Sequence, residues 1–184
     1  MFYLKMYLRA SQPGQLFLAV LPDADTSAEI YRIATILKRA HRLRGQLTAR
    51  DRLHVTLFSL SGLPDRALED ACEAVAEFGA QQFGVSFDRT VSFRGRQGSR
   101  PFVLTGDAGL GPLKAFRCLL LASMMRRGLP LLARPNYTPH VTLLFDDRAV
   151  DENPVGPIRW TVGNVVLIHS MQGHTHLARW PLQV

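Results

Sequence analysis

Hydrophobic and polar residues alternate in several short runs of this chain, and a period of two predicts β-strands. Apolar runs predict strands at residues 15–21, 52–60 and 101–105. Strict alternation predicts a longer strand at 83–93, on which Phe83, Val85, Phe87, Val91 and Phe93 share one face. The C-terminal part predicts a strand through residues 140–143, an acidic loop at 146–157, and two final strands at 158–169 and 176–182.

Three segments instead repeat apolar residues at intervals of three and four, which predicts helices. The first begins at a capping-box pattern, Thr26 and Glu29, and is expected to end at Gly45. The second and third are centred on residues 68–75 and 113–124. Helices and strands alternate, and most connections between strands are short, so antiparallel pairing should dominate and the predicted class is α+β.

The tetrapeptide His-Val-Thr-Leu occurs twice, at His54 to Leu57 and at His140 to Leu143, separated by just under half of the chain. Each copy lies in a predicted strand, and each half also contains a helix between strands. This spacing predicts two pseudo-symmetric lobes of mainly antiparallel sheet, with outer helices, around a central groove. Residues 15–184 are then a single bilobal domain, while residues 1–14 form an N-terminal arm of a kind that is often disordered.

The repeated motif points to chemistry because residues i and i+2 of a strand face the same way. His54 and Thr56 share one face, as do His140 and Thr142. A neutral imidazole accepts a proton and a charged one donates it, while each hydroxyl can bond a phosphoryl oxygen. A single His-x-Thr on a strand is more often a surface or core feature, but two copies in the same phase favour a metal-free phosphoryl-transfer site.

Composition changes this interpretation little. An apolar fraction of 47% and a charged fraction of 20% are typical of a soluble globular protein. The net charge of +7 comes mostly from arginine, whose planar side chain suits phosphate, although a GC-rich genome with many arginine codons explains the excess equally well. Cys72 and Cys118 are predicted to be reduced core residues. No apolar run approaches the roughly 18 residues of a membrane span and no secretory signal is evident, so a cytoplasmic monomer is expected.

Other site classes lack their sequence signatures. The chain has no Walker loop, dinucleotide-binding fingerprint or nucleophile elbow, so no cofactor is predicted. His174 and His176 are two residues apart but have no third partner at a recognisable spacing, so no metal site is predicted either.

The motifs Arg52-Leu53-His54-Val55-Thr56-Leu57 and Tyr137-Thr138-Pro139-His140-Val141-Thr142-Leu143 resemble the paired signature of the 2H phosphoesterase superfamily. Within it, the chain is most similar to the RNA 2′,3′-cyclic phosphodiesterases, historically called 2′–5′ RNA ligases. The segment Gln15 to Pro22 resembles their first strand, Leu-Phe-x-Ala-x-x-Pro. The chain departs from the pattern at Ser59, where Phe is more usual, and at Phe145 to Asp147, where a basic residue is more usual.

The resemblance implies that the groove hydrolyses a 2′,3′-cyclic phosphate at an RNA end, or on a nucleotide, to leave a 2′-phosphate without a metal. It implies that His54 is the acid and His140 the base, and that Thr56 and Thr142 hold the phosphate oxygens. It also implies the reverse reaction, which joins RNA ends through a 2′–5′ linkage.

Five further residues are candidates for substrate contacts, each with a structural alternative that the sequence leaves open. Phe58 shares the predicted face of His54, and Tyr137 precedes the second motif and could stack on a base. Basic candidates for phosphate contacts are Arg96, Arg100 and Arg134. Two alternative functions also remain at this point: a relative acting on another cyclic phosphate or a 2′–5′ oligonucleotide, and a non-catalytic module that binds RNA ends.

Overall fold

The structure is a computed structural model that describes residues 14–95, 99–129, 136–171 and 173–184. Of the predicted arm at residues 1–14, only Gly14 lies in this range, so the arm and the domain boundary remain predictions. Arg96 and Arg134 also lie outside the described residues.

The described residues form eight strands and three α-helices. The helices are α1 (Ala24–Ala40), α2 (Asp65–Ala76) and α3 (Gly111–Arg126). The strands are β1 (Gln15–Val20), β2 (Val55–Ser59), β3 (Phe83–Ser92), β4 (Arg100–Thr105), β5 (Val141–Asp146), β6 (Asn153–Val162), β7 (Asn164–Ser170) and β8 (His174–Pro181).

The strands form two four-stranded sheets, ordered β2-β1-β7-β8 and β5-β4-β3-β6, in which all neighbours are antiparallel. The two motif strands, β2 and β5, occupy the corresponding edge of each sheet. This arrangement confirms the α+β class and the pairing of two similar halves.

Each motif strand contains a bulge directly after its threonine. In the first sheet Ala19 pairs with Thr56 and Leu18 with Phe58, so Leu57 is passed over. In the second, Val103 pairs with Thr142 and Phe102 with Leu144, so Leu143 is passed over. Because an extra residue reverses the alternation of faces, Phe58 turns into the core. The expectation that Phe58 shares the face of His54 is therefore wrong, and Ser59 takes the exposed position.

A second irregularity corrects the long alternating strand. The pairing of β3 with β6 shifts between Phe87 and Arg89. Val85 and Phe87 are buried before the shift, whereas Thr90 is the buried residue after it. Val91 and Phe93 are therefore not on the face of Phe87, as alternation predicted.

The first helix also differs from its prediction at both ends. Its N-cap is Asp23, whose carboxylate accepts from the backbone N–H and the hydroxyl of Thr26, so Thr26 lies inside the helix. Its last helical residue is Ala40 and its C-cap is His41, so it ends before Gly45. Gly45 instead permits close approach to β5, since a Cβ there would lie 1.8 Å from the Phe145 carbonyl oxygen.

The C-terminal region contains one more strand than predicted. The single strand expected at 158–169 is two strands, β6 and β7, which Gly163 separates. Strand β6 already begins at Asn153, so the loop expected at 146–157 covers only residues 147–152.

Helix α3 is the most apolar helix described. Residues Ala108–Arg126 are long and apolar enough, by length and composition alone, to cross a membrane. Leu113, Phe116, Leu120 and Met124 of this segment are buried in the main core, and the core helix of a folded domain passes the same test. Cys118 on this helix is exposed, which corrects its prediction as a core residue, whereas Cys72 is buried.

Candidate active site

The two motif histidines are held in the same way. Each directly precedes its strand, and its Nδ1–H donates to the carbonyl of the residue two positions earlier, at 2.8 Å for His54 and Arg52 and at 2.7 Å for His140 and Thr138. Because a carbonyl only accepts, Nδ1 must carry a proton in both rings. The remaining nitrogen, Nε2, is therefore the atom that can exchange a proton with a ligand.

The residues after the two histidines repeat one burial pattern. From Val55 and from Val141 the order is buried, half-buried, buried, buried, exposed, buried. The half-buried positions are Thr56 and Thr142, and both residues line the pockets described next.

Two adjoining pockets run along these residues. The first, which we call the His54 pocket, has a volume of about 310 Å³ and is lined by His54, Thr56 and Thr142, with Arg52, Phe145 and His174 among the others. The second, the His140 pocket, has a volume of about 370 Å³ and is lined by His140 and Thr56, with Phe93, Arg117, Asn136 and Tyr137 among the others. Thr56 and Ser59 line both pockets, so the two form one groove that brings the predicted quartet together.

Aromatic rings orient the two imidazoles. The ring of Phe17 stacks on His54 with centroids 4.9 Å apart, and that of Phe93 meets His140 edge-on at 5.0 Å. Phe93 reaches His140 because of the shifted pairing in β3, which is why alternation alone could not place it here.

Burial lowers the pKa of both histidines, and positive charges lower that of His54 further. For His140 the cause is burial, which disfavours the imidazolium and outweighs the opposing effect of its bond to the Thr138 carbonyl. Burial also lowers the pKa of His54, against its bond to the Arg52 carbonyl, and the positive charges of His140 and Arg52 lower it further. The two imidazoles are thus within electrostatic reach of each other, which favours a state in which only one is protonated.

Arg117 and Tyr137 connect the second half of the chain to the first motif strand. The Arg117 Nε–H donates to the Leu57 carbonyl at 2.9 Å, and the Tyr137 hydroxyl donates to the Thr56 carbonyl at 3.0 Å. The Arg117 guanidinium lies over the rings of Phe58 and Tyr137, at 4.6 and 4.1 Å from their centroids. Tyr137 is therefore a support for the groove wall, with its hydroxyl and ring both engaged.

The second motif strand is anchored by a buried carboxylate. Asp146 accepts from the backbone N–H groups of Arg44, Gly45 and Arg148. Burial alone would raise the pKa of Asp146, but these three donors outweigh it and hold the pKa well below its ordinary range. The acidic residue after the motif thus fixes the strand to the loop that follows α1.

The remaining candidates lie in different places. Phe58 contributes to the wall of the His140 pocket, but its side chain is only 3% exposed. The Arg100 guanidinium donates to the Asp147 carbonyl at 3.0 Å, and Arg100 does not line either pocket of the groove.

Among the groove residues that the sequence analysis did not predict as site residues are Phe17, Phe93, Arg117 and His174. Arg117 had a usable signal, since it occupies a helix position four residues after Leu113 where an apolar residue would be expected. His174 had none, because only the pairing of β8 with β7 brings it to the groove. Within the described part of the chain, no group of three or more His, Cys, Asp or Glu side chains is arranged to hold a metal ion.

A family model described as the 2′-5′ RNA ligase superfamily matches residues 22–174. This match confirms the resemblance that the two motifs predicted. A comparison with curated proteins finds no match.

Solved structures share the fold over nearly the whole chain. E. coli LigT, crystallised with NADP+, is 25% identical with a TM-score of 0.68, over 94% of this chain and 100% of that chain. A structure described as a phosphoesterase is 24% identical with a TM-score of 0.71 and the same coverage. The TT0787 protein of Thermus thermophilus is 20% identical with a TM-score of 0.71, over 92% and 98% of the two chains. The last two show similarity of fold alone.

Proposed function

Since this chain belongs to the 2′-5′ RNA ligase superfamily, whose members are 2H phosphoesterases, we propose that it hydrolyses the 2′,3′-cyclic phosphate at an RNA end. The product is a 2′-phosphate beside a free 3′ hydroxyl. The observation that carries the proposal is the groove itself, in which two imidazoles, each bonded to the backbone through Nδ1, and two threonines line two adjoining pockets.

The reaction needs one proton acceptor and one proton donor. Water attacks phosphorus while a neutral histidine takes its proton, and the bond from phosphorus to the 3′ oxygen breaks as the charged histidine protonates that oxygen. Each positioned group of this kind contributes about 10²–10⁴-fold. Thr56 and Thr142 donate to the non-bridging oxygens, where negative charge increases in the transition state.

The environment and the resemblance favour opposite roles for the two histidines. The resemblance implies that His54 donates and His140 accepts. In the free groove, however, the pKa of His54 is lowered by burial and by the charges of His140 and Arg52, while burial is the cause that lowers the pKa of His140. Because the repulsion between the two imidazoles acts on both, only the charge of Arg52 distinguishes them, and it favours a proton on His140, which would make His140 the donor.

Two features support a nucleotide ligand. LigT has been crystallised with 3′-AMP and with phosphate as well as with NADP+, so that protein binds nucleotides and phosphate. The groove here combines phosphate-binding hydroxyls with an exposed aromatic ring, Phe145, on which a base can stack.

The decisive experiment is end-group analysis of an oligoribonucleotide that ends in a 2′,3′-cyclic phosphate. We expect a 2′-phosphate product, equal rates with and without EDTA, and a bell-shaped dependence of kcat/KM on pH, because one histidine must be charged and the other neutral. Since the pKa of each histidine lies below its ordinary value of 6.5, the maximum should fall on the acid side of that value.

Three outcomes would contradict the proposal: a 3′-phosphate product, inhibition by EDTA, or tight binding of the RNA end without turnover. Faster hydrolysis of adenosine 2′,3′-cyclic phosphate than of the RNA end would identify a nucleotide as the substrate instead. Adding an RNA with a free 5′ hydroxyl tests ligation: the hydroxyl would attack phosphorus in place of water, the bond to the 3′ oxygen would break, and the same two histidines would join the ends through a 2′–5′ linkage.

A further inference from the structure

A third imidazole, that of His174 at the start of β8, borders the groove beside His54. Its ring meets the ring of His54 at a centroid distance of 5.0 Å and an angle of 66°, and it meets Phe17 at 5.7 Å and 74°. It lines the His54 pocket together with His54, Thr56 and Thr142. His140 has no corresponding imidazole among the described ring contacts.

The buried nitrogen of His174 fixes its tautomer. Nδ1 is buried and has no hydrogen-bond partner among the described residues. In protein interiors an N–H without an acceptor is rarer than an acceptor without a donor, so we assign Nδ1 as the unprotonated nitrogen. The proton of the neutral ring is then on Nε2, which is the only ring nitrogen left to reach a ligand in the pocket.

Burial, helped by nearby positive charges, keeps the His174 ring neutral. Burial lowers its pKa to about 4, and the positive charges of His54, Arg52 and His176 act in the same direction, against the carboxylate of Asp51. At neutral pH the side chain is therefore an uncharged donor.

We propose that His174 is a substrate-binding residue that donates its Nε2–H to a phosphate oxygen of the ligand in the His54 pocket. The proposal rests on the proposed function in so far as the pocket receives a phosphate. A neutral donor suits this place because a lysine or arginine in contact with His54 would disfavour the imidazolium form that proton transfer needs. His174 thus adds a third donor to the two threonine hydroxyls without adding a charge beside His54.

Two variants of His174 distinguish the effect of losing its N–H donor from the effect of losing its aromatic ring. In His174→Phe the aromatic contacts with His54 and Phe17 remain but the donor is lost, whereas in His174→Gln a neutral N–H donor remains without the ring. The matched control is His176→Phe, since His176 lies two residues further along β8 but does not line the pocket. Circular dichroism and thermal unfolding verify that all three variants fold.

We expect His174→Phe to raise KM for adenosine 2′,3′-cyclic phosphate by about tenfold and to weaken inhibition by inorganic phosphate similarly, with kcat much less affected. His174→Gln should recover most of that affinity, and His176→Phe should match the wild type. Nitrogen-15 spectra of the histidines should show His174 neutral with its proton on Nε2, and this signal should move when phosphate is added.

A fall in kcat with unchanged KM in His174→Phe would overturn the proposal, because it would mean that the residue only orients His54. A His174 signal that phosphate does not move would also overturn it. If the wild type fails to hydrolyse the cyclic phosphate but phosphate still moves the signal, the proposed reaction is wrong and the binding role stands. If His174→Phe turns over normally, with unchanged KM and unchanged inhibition by phosphate, the proposed reaction stands and the binding role of His174 is wrong.

Discussion

The two motif strands have nearly the same backbone but different surroundings. Both β2 and β5 are sheet edges, both have their bulge after the threonine, and both histidines bond the carbonyl two residues earlier. Around them, His54 contacts Phe17 and His174, whereas His140 contacts Phe93. A duplicated backbone therefore gives two equivalent imidazoles with unlike neighbours, and only His54 has a nearby arginine, Arg52, whose charge lowers its pKa.

The positions after the bulge differ as well. Ser59 and Phe145 both occupy the exposed position, and Leu60 and Asp146 both occupy the buried one that follows it. Only the second strand therefore has a large ring at the groove and a carboxylate beneath it. The repeated backbone therefore sets the geometry of the groove, and the unlike side chains after the bulges make its two ends different.

Replacing the motif histidines should have the largest effect. We expect His54→Ala and His140→Ala each to lower kcat/KM by about 10²–10⁴-fold, and the double variant to be about as slow as either alone, because the two act in one step. Unfolding curves should resemble the wild type, since both rings lie at the groove and not in the core. Full activity in a folded His140→Ala protein would refute the two-histidine mechanism.

The same variants reveal which histidine is the acid. A cyclic substrate with sulfur in place of the 3′ oxygen has a leaving group that needs no proton, so it should rescue the variant that lacks the acid and not the one that lacks the base. Rescue of His140→Ala would identify His140 as the acid, which the surroundings of the free groove favour. Rescue of His54→Ala would support the order that the resemblance implies.

Changing Asp146 tests the anchor that only the second strand has. Asp146→Leu copies Leu60 and leaves three backbone N–H groups without their acceptor, so it should lower the free energy of unfolding by about 3 kcal/mol at neutral pH. The control is Asp151→Asn, at an exposed carboxylate in the following loop. Urea unfolding at a series of pH values measures both effects.

The pH dependence of this effect has a definite sign. The pKa of Asp146 is lower in the folded protein than its ordinary value of 3.8, so the carboxylate stabilises the fold fully above that value. The stabilisation is lost as the pH falls below it toward the folded pKa. The difference in the free energy of unfolding between wild type and Asp146→Leu should therefore become smaller in acid. A difference that stays constant with pH would show that packing, and not ionisation, causes it.

The smallest expected effect concerns Phe145, which is 54% exposed at the groove. Phe145→Ser makes the second strand resemble the first at this position. We expect KM for adenosine 2′,3′-cyclic phosphate to rise about fivefold, corresponding to about 1 kcal/mol of lost stacking, while ribose 2′,3′-cyclic phosphate is unaffected. Equal changes for both substrates would mean that Phe145 does not contact a base.

The sequence predicted the parts of the molecule that depend on local patterns. The two motifs, the α+β class and most strands follow from alternation and from a repeat that is visible in the chain. The faces of Phe58 and Phe93 were not predictable, because each depends on an irregular pairing that alternation cannot indicate. The roles of His174, Arg117 and Asp146 depend on contacts between distant segments, so their recognition needed the structure.

The donors that meet the two bulges come from opposite halves of the chain. The Leu57 carbonyl accepts from the Nε–H of Arg117 in α3, while the corresponding carbonyl of Leu143 accepts from the backbone N–H of Thr48, which precedes β2. An open sheet edge is a template for pairing with another molecule, and at each motif strand here a donor from the other half of the chain occupies a carbonyl of that edge. Neither half on its own would supply both donors, so these contacts between distant segments also protect the protein against aggregation.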